Sequence, residues 1–168
     1  MNPIALIILL IIGGGFLFIL SKSVHAETSS FYSKSQIETL IRTSASVYGL
    51  EPALVYAIAK VESNLNPLAK NPADPSYGLM QIMPMLAQDY GFVKDWRNPT
   101  SFEINSLYDP NISLTIACQH LARLLRSYSM DTAVQMYNVG ETGYKRGIRA
   151  KDYLEKVRTY YEAYNKTG

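Results

Sequence analysis

Cysteine is nearly absent from this chain: Cys118 is the only one among 168 residues. No internal disulfide can therefore staple the fold. Cys118 falls inside a helical pattern and reads as a small core residue. Histidine is scarce as well. His25 and His120 lie far apart, and no Cys/His cluster exists, so neither a metal site nor a cofactor is predicted. No strand-period alternation stands out, and no internal repeat, which argues against all-β and solenoid architectures. Charge runs are missing too. The net charge is +2 and charged residues make up 18%. Without a basic stripe, a dedicated nucleic-acid binder is excluded. A hydrophobic content of 48% equally excludes disorder. The slight basic excess suits an anionic polymer as partner.

What is present begins with an apolar run. Ile4 to Leu20 carries no charge. As a helix it would span roughly 26 Å, at the short end for crossing a bilayer. Two readings compete for residues 1–26. Val24-His25-Ala26 could be a signal-peptidase site, with Glu27 starting the mature chain. However, the run is long for a signal peptide and Met1-Asn2-Pro3 supplies no basic residue. The preferred reading is an uncleaved transmembrane anchor, residues 4–20 contacting the membrane. Lys22 alone says little about orientation. Gly13-Gly14-Gly15 and an all-round apolar surface do not suit a helix buried in a soluble core. Either way, the domain that follows lies outside the cytoplasm. Residues 27–34 read as a polar, Ser-rich tether.

From residue 35 to 168 the pattern predicts one all-α domain. Ser35 and Glu38 fit a capping box. Ile37, Leu40, Ile41 and Tyr48 follow at helical spacing up to Gly49. Pro52 opens a second helix whose apolar face is Leu54, Val55, Ile58, Val61 and Leu65. Glu62 is four residues after Ile58, so it points along the buried stripe and away from Lys60 and Ser63. An ionisable group there needs a reason: a buried ion pair, a carboxylate turning out to water at the helix end, or catalysis. Residues 66–75, with three prolines, form a loop. Leu79 to Met83 reads as a short helix, and Pro84 to Tyr90 as another. Residues 92–108 are poorly periodic, with Trp96 and Phe102 as expected packing anchors. Asp109 caps the clearest helix, lined by Ile112, Ile116, Leu121, Leu124, Leu125 and Tyr128. Asp131 is the expected cap of a helix from Thr132 to Asn138. Residues 141–147 read as a loop. The last helix runs from Lys151 to Tyr164, with Tyr153, Val157, Tyr160 and Tyr164 on one side. The thirteen tyrosines suit core edges or the faces of sugar rings.

Four short motifs then carry a likeness. At Glu62-Ser63, Gly78-Leu79-Met80-Gln81, Tyr137-Asn138 and Tyr153 to Val157 the chain resembles the lytic transglycosylase SLT domain, a lysozyme-like, mainly helical domain with a cleft. The likeness covers roughly residues 35–164. Each motif alone is weak, but all of them in the family's order are specific. The resemblance implies a peptidoglycan-cleaving enzyme with Glu62 as its sole catalytic acid and base. It implies a substrate-binding set of Ser63, which orients Glu62 or the sugar, the wall formed by Gly78, Leu79, Met80 and Gln81, Tyr137 near the acid, Asn138 facing the sugar, and Tyr153 hydrogen-bonding Glu62 or its surroundings. It implies cleavage of the MurNAc–GlcNAc β-1,4 bond with formation of 1,6-anhydro-MurNAc. Met136, where the family usually has Ala, and Tyr77, in place of a small or basic residue, depart from the pattern.

The rival hydrolytic reading is a goose-type-like lysozyme, which would need a second carboxylate. Asp74 is the nearest in sequence, although Asp before Pro is ordinary turn chemistry. A third reading, a non-catalytic peptidoglycan-binding module, would be marked by a missing Glu62. The expected partners are peptidoglycan glycan strands. A secretion or conjugation apparatus, or a phage particle with its membrane, would be the setting for local opening of the wall.

Overall fold

The computed structural model describes residues 32–167. The expected anchor or signal at 1–26, and all but the end of the expected tether, lie outside the described residues. Among the described residues no helix is long and apolar enough to cross a membrane.

The described residues build seven helices and one minimal hairpin. Helix α1, Lys34–Val47, starts one turn-half earlier than the Ser35 box predicts. Ser33 is the cap: its Oγ accepts from Gln36 N–H, and Gln36 Oε1 accepts from Ser33 N–H. Both Ser33…Gln36 and Ser35…Glu38 satisfy the capping-box spacing. Glu38 instead takes i,i+4 ion pairs with Lys34 and Arg42. Helix α2, Pro52–Ser63, has Pro at its first position and ends in left-handed Asn64 and Leu65.

Two-residue strands β1, Lys70–Asn71, and β2, Ser76–Tyr77, pair antiparallel. The mainly helical expectation holds, and these strands are too short to leave a periodic signature in the sequence. The expected helix at 79–83 is absent. Residues 78–82 form a turn closed by a bridge between Tyr77 and Ile82. Gln81 sits at φ 48° within it, a backbone region incompatible with helix.

Helix α3 is Pro84–Asp89. Helix α4, Ser101–Ser106, lies in the stretch that lacks periodicity and is held by a Thr100–Glu103 capping box. Phe102 and Trp96 are not packing anchors. Phe102 is 83% exposed, and Trp96 lies at the surface under the Arg97 guanidinium. Val93 and Leu107 fill the core from this segment instead.

Helix α5, Pro110–Leu125, is capped by Asp109 as expected. Helix α6, Met130–Lys145, is capped by Ser129, not Asp131. Its backbone breaks at Gly140 (φ 73°, ψ 153°), and helical residues resume where a loop was expected. Asp131 pairs with Arg158 of the final helix α7, Lys151–Thr167.

Helix α2 is the central element. Val55, Ala57, Ile58 and Ala59 are completely buried. It packs most extensively on α7, and also on α1, while α5 lies against α1 and α6. Small residues Ala53, Ala57 and Ala59 let neighbouring backbones come close. Ile37 and Ile41 from α1, and Leu114, Ile116, Ala117 and Leu121 from α5, join the same core. Cys118 is buried there, and burial pushes its thiol up to about 12.

Candidate active site

Glu62 is the penultimate residue of α2, at the place where the buried stripe runs out. Its side chain is partly buried. The Tyr153 hydroxyl, from the first turn of α7, donates to Glu62 Oε1 at 2.6 Å. Burial pushes the Glu62 carboxyl up to about 7, because the charged form loses hydration. The Tyr153 hydrogen bond works in the opposite direction and is the weaker influence. Both Tyr137 and Tyr153 are held well above the usual tyrosine range, first by burial and then by the nearby Glu62 charge. Both therefore remain hydroxyl donors at neutral pH.

The turn at 78–82 is fastened to this centre from three sides. Ser63 Oγ lies 2.7 Å from Leu79 O and 3.1 Å from Ala59 O, and its single proton favours the shorter contact. Tyr137 donates to Met80 O at 2.9 Å. Met80 N–H donates to Ser113 Oγ of α5 at 3.0 Å. Gly78 is required for a physical reason. Its φ is 78°, and a Cβ there would stand 2.1 Å from the Leu107 carbonyl oxygen. No side chain fits so close to backbone.

The expected residues thus divide by role. Glu62 and Tyr153 meet directly, whereas Ser63 and Tyr137 act on the turn. Leu79 and Met80 are completely buried, so they contribute backbone and not side-chain surface. Gln81 Nε2 donates to Ala69 O and Gly78 O, and its Oε1 accepts from Ser76. Both amide protons are therefore committed within the hairpin and only an acceptor position of Oε1 is left. Asn138 is exposed beside Tyr137. Met136 is buried in a satellite cluster with Leu124 and Ala133. Asp74, the second carboxylate of the hydrolytic reading, lies exposed in the turn between β1 and β2.

Sequence reasoning missed Ser113 and His120. Ser113 is fully buried, and its only signal is a polar residue on an otherwise apolar helix face. His120 is packed behind Tyr137 with ring centres 6.0 Å apart, and its Nδ1 is hydrogen-bonded to the Tyr90 hydroxyl at 3.2 Å. Burial, helped by Arg123, pushes His120 down to about 4. It backs the site as a neutral ring.

The family model described as the transglycosylase SLT domain matches residues 39–165. Membrane-bound lytic murein transglycosylase C of Edwardsiella ictaluri is 32% identical over 91 residues, covering 53% of this chain and 24% of that protein. The protein of the same name from Sodalis glossinidius is 33% identical over 91 residues, again 53% of this chain and 24% of its own length. The chain spans about a quarter of the length of these relatives. The crystal structure of an inactive mutant of the lytic transglycosylase Slt from Pseudomonas aeruginosa superposes with a TM-score of 0.61 at 16% identity. That match covers 86% of this chain and 27% of the other, and it shows a common fold. The family match runs through Glu62, the Gly78 turn, Tyr137 and Tyr153, and by it this chain belongs to the transglycosylase SLT domain family.

Proposed function

We propose that this chain is a peptidoglycan lytic transglycosylase in which Glu62 works alone, first as acid and then as base. The observation that carries the reading is the Glu62 carboxyl, raised to about 7 by burial and held through one oxygen by Tyr153. A group with that poise is about half protonated at neutral pH, so it can give a proton and take one back later in the cycle.

In the first step Glu62 donates its proton to the β-1,4 glycosidic oxygen between MurNAc and GlcNAc. The C1–O bond breaks and the GlcNAc hydroxyl leaves. Positive charge at C1 of MurNAc is supported by the oxygen of its own N-acetyl group. In the second step the C6 hydroxyl of the same MurNAc attacks C1, and the Glu62 carboxylate removes its proton. The product is 1,6-anhydro-MurNAc. Glu62 is protonated again, and no water is consumed. Because Tyr153 occupies Oε1, Oε2 is the oxygen left for the proton relay. Ser63, Tyr137 and the backbone of Gly78, Leu79, Met80 and Gln81 hold the wall against which the sugar lies, and Asn138 is the exposed amide placed to contact it.

The apolar run at residues 4–20 supports a membrane anchor, with residues 35–168 as the catalytic domain outside the cytoplasm. Such an enzyme suits local opening of the wall for a secretion or conjugation apparatus or for a phage particle. Mass spectrometry of the fragments released from purified peptidoglycan tests the reaction. Products lighter by one water than the hydrolytic fragments, without a reducing end, are expected. Free reducing ends would replace this reading with the lysozyme one and direct attention to Asp74.

A further inference from the structure

Away from Glu62, a groove of about 510 Å³ opens between α1, α2 and α7. Its volume is that of an ordinary small-molecule site. Lys34, Arg42 and Lys60 line it and face one carboxylate, Glu38. Tyr56, Tyr160 and Tyr164 supply aromatic surface. The cations and rings are already arranged on one another. The Arg42 guanidinium lies 5.7 Å from the Tyr164 ring centre, and Lys60 Nζ lies 6.0 Å from that of Tyr160. The Tyr56 and Tyr164 rings are 4.8 Å apart and tilted. Glu38 is within 4.0 Å of both Lys34 and Arg42, which orients them but leaves the positive charge in excess.

This composition has a specific chemistry. Tyrosine faces accept sugar rings, and guanidinium and ammonium groups beside them accept carboxylate or phosphate. A neutral glycan would not need three cations, and a simple anion would not need three tyrosines. The groove also shares α7 with the active site. Tyr160 and Tyr164 lie roughly 10 and 16 Å along the helix axis from Tyr153, taking 1.5 Å per residue. A polymer strand is long enough to meet both places.

We propose that the groove is a second binding site for the wall polymer, taking a sugar unit together with an anionic group attached to it. The proposal rests on the reading of wall glycan as substrate. The anion is either a carboxylate of the peptide stems or a phosphate of a wall-linked phosphodiester polymer.

The test uses the full chain in detergent, carrying Glu62→Gln so that the polymer is not cut during the measurement. Co-sedimentation with purified sacculi is compared with and without the added pair Arg42→Gln and Lys60→Gln, with the melting temperature as the folding control. The added pair is expected to weaken binding about tenfold at low salt, with the difference shrinking towards about 1 M salt as the charges are screened. The charge-conserving pair Arg42→Lys and Lys60→Arg is expected to restore most of it. Equal binding by the charge-removed protein overturns the proposal. Two treated substrates then identify the anion. Loss of binding after amidase removal of peptides assigns the carboxylate. Loss after hydrofluoric acid removal of phosphodiesters assigns the phosphate. Binding that survives both treatments overturns the anionic assignment. If the unsubstituted chain releases nothing from the same sacculi, the catalytic reading fails instead, which is a separate result.

Discussion

A buried carboxyl is a liability unless its proton has work to do. For Glu62 the folded value of about 7 exceeds the ordinary 4.5. The unfolded chain therefore releases this proton at lower pH than the folded one does. The stability linked to the proton is fully present below about 4.5 and is lost as pH rises through about 7. Glu62→Gln removes that dependence. Its melting temperature, measured against the parent across this window, is expected to gain on the parent as pH rises. The same substitution is expected to lower kcat/KM on peptidoglycan by roughly 1,000-fold or more. Near-parental turnover would remove Glu62 from the mechanism. Tyr153→Phe removes a hydrogen bond that favours the charged carboxylate. The alkaline limb of its kcat/KM profile is expected to move to higher pH, with a lower maximum because Glu62 is less well held. An unmoved limb would mean that Tyr153 serves packing alone.

The turn at 78–82 shows how an element without regular secondary structure becomes rigid. Ser63 of α2, Ser113 of α5 and Tyr137 of α6 each hold one of its backbone groups. Ser113→Ala leaves Met80 N–H buried without its acceptor and is expected to cost about 1–3 kcal/mol, read as a lower urea midpoint. It is also expected to reduce kcat/KM while KM changes little, since the wall beside Glu62 loses its register. Gly78→Ala is expected to be more severe, because the new methyl meets the Leu107 carbonyl and not a side chain that can swing aside. The motif Gly78 to Gln81 is visible in the sequence, but its conformation is not. Apolar Leu79, Met80 and Ile82 look helical on paper. The left-handed Gln81 and the bridge from Tyr77 to Ile82 exist only because the hairpin and three helices grip the segment.

At the scale of the whole molecule, α2 is the axis on which the site and the core depend together. Ile58 is completely buried one turn before Glu62. Ile58→Ala is expected to destabilise the domain by about 2–5 kcal/mol, measurable by denaturant unfolding. Residues 32–167 carry their own core, so removing residues 1–26 is expected to leave the melting temperature and the pH profile intact and to abolish partition into membranes. A domain that unfolds on this deletion would place the boundary elsewhere.

The sequence by itself determined the helical class, the main helix starts at Pro52 and Asp109-Pro110, and the position of Glu62 on the buried stripe of α2. These follow from local rules: proline's fixed φ, capping by Asp, and the 3.6-residue period. The four motifs pointed to the family for the same reason, since residue types in order survive without coordinates. The tertiary structure decided which atoms touch, where the family resemblance had only placed Tyr153 on Glu62 or its surroundings. Tyr153 reaches Glu62 across 91 residues, and Ser113 reaches Met80 across 33. No local pattern encodes such pairs. Phe102 and Trp96 teach the same lesson in reverse. Their size marked them as core, but the buried apolar residues of this segment are the smaller Val93 and Leu107. The raised pKa of Glu62 is likewise a tertiary property: the stripe placed the carboxyl, and the packing of α7 and α6 around it removed the water that would have kept it an ordinary acid.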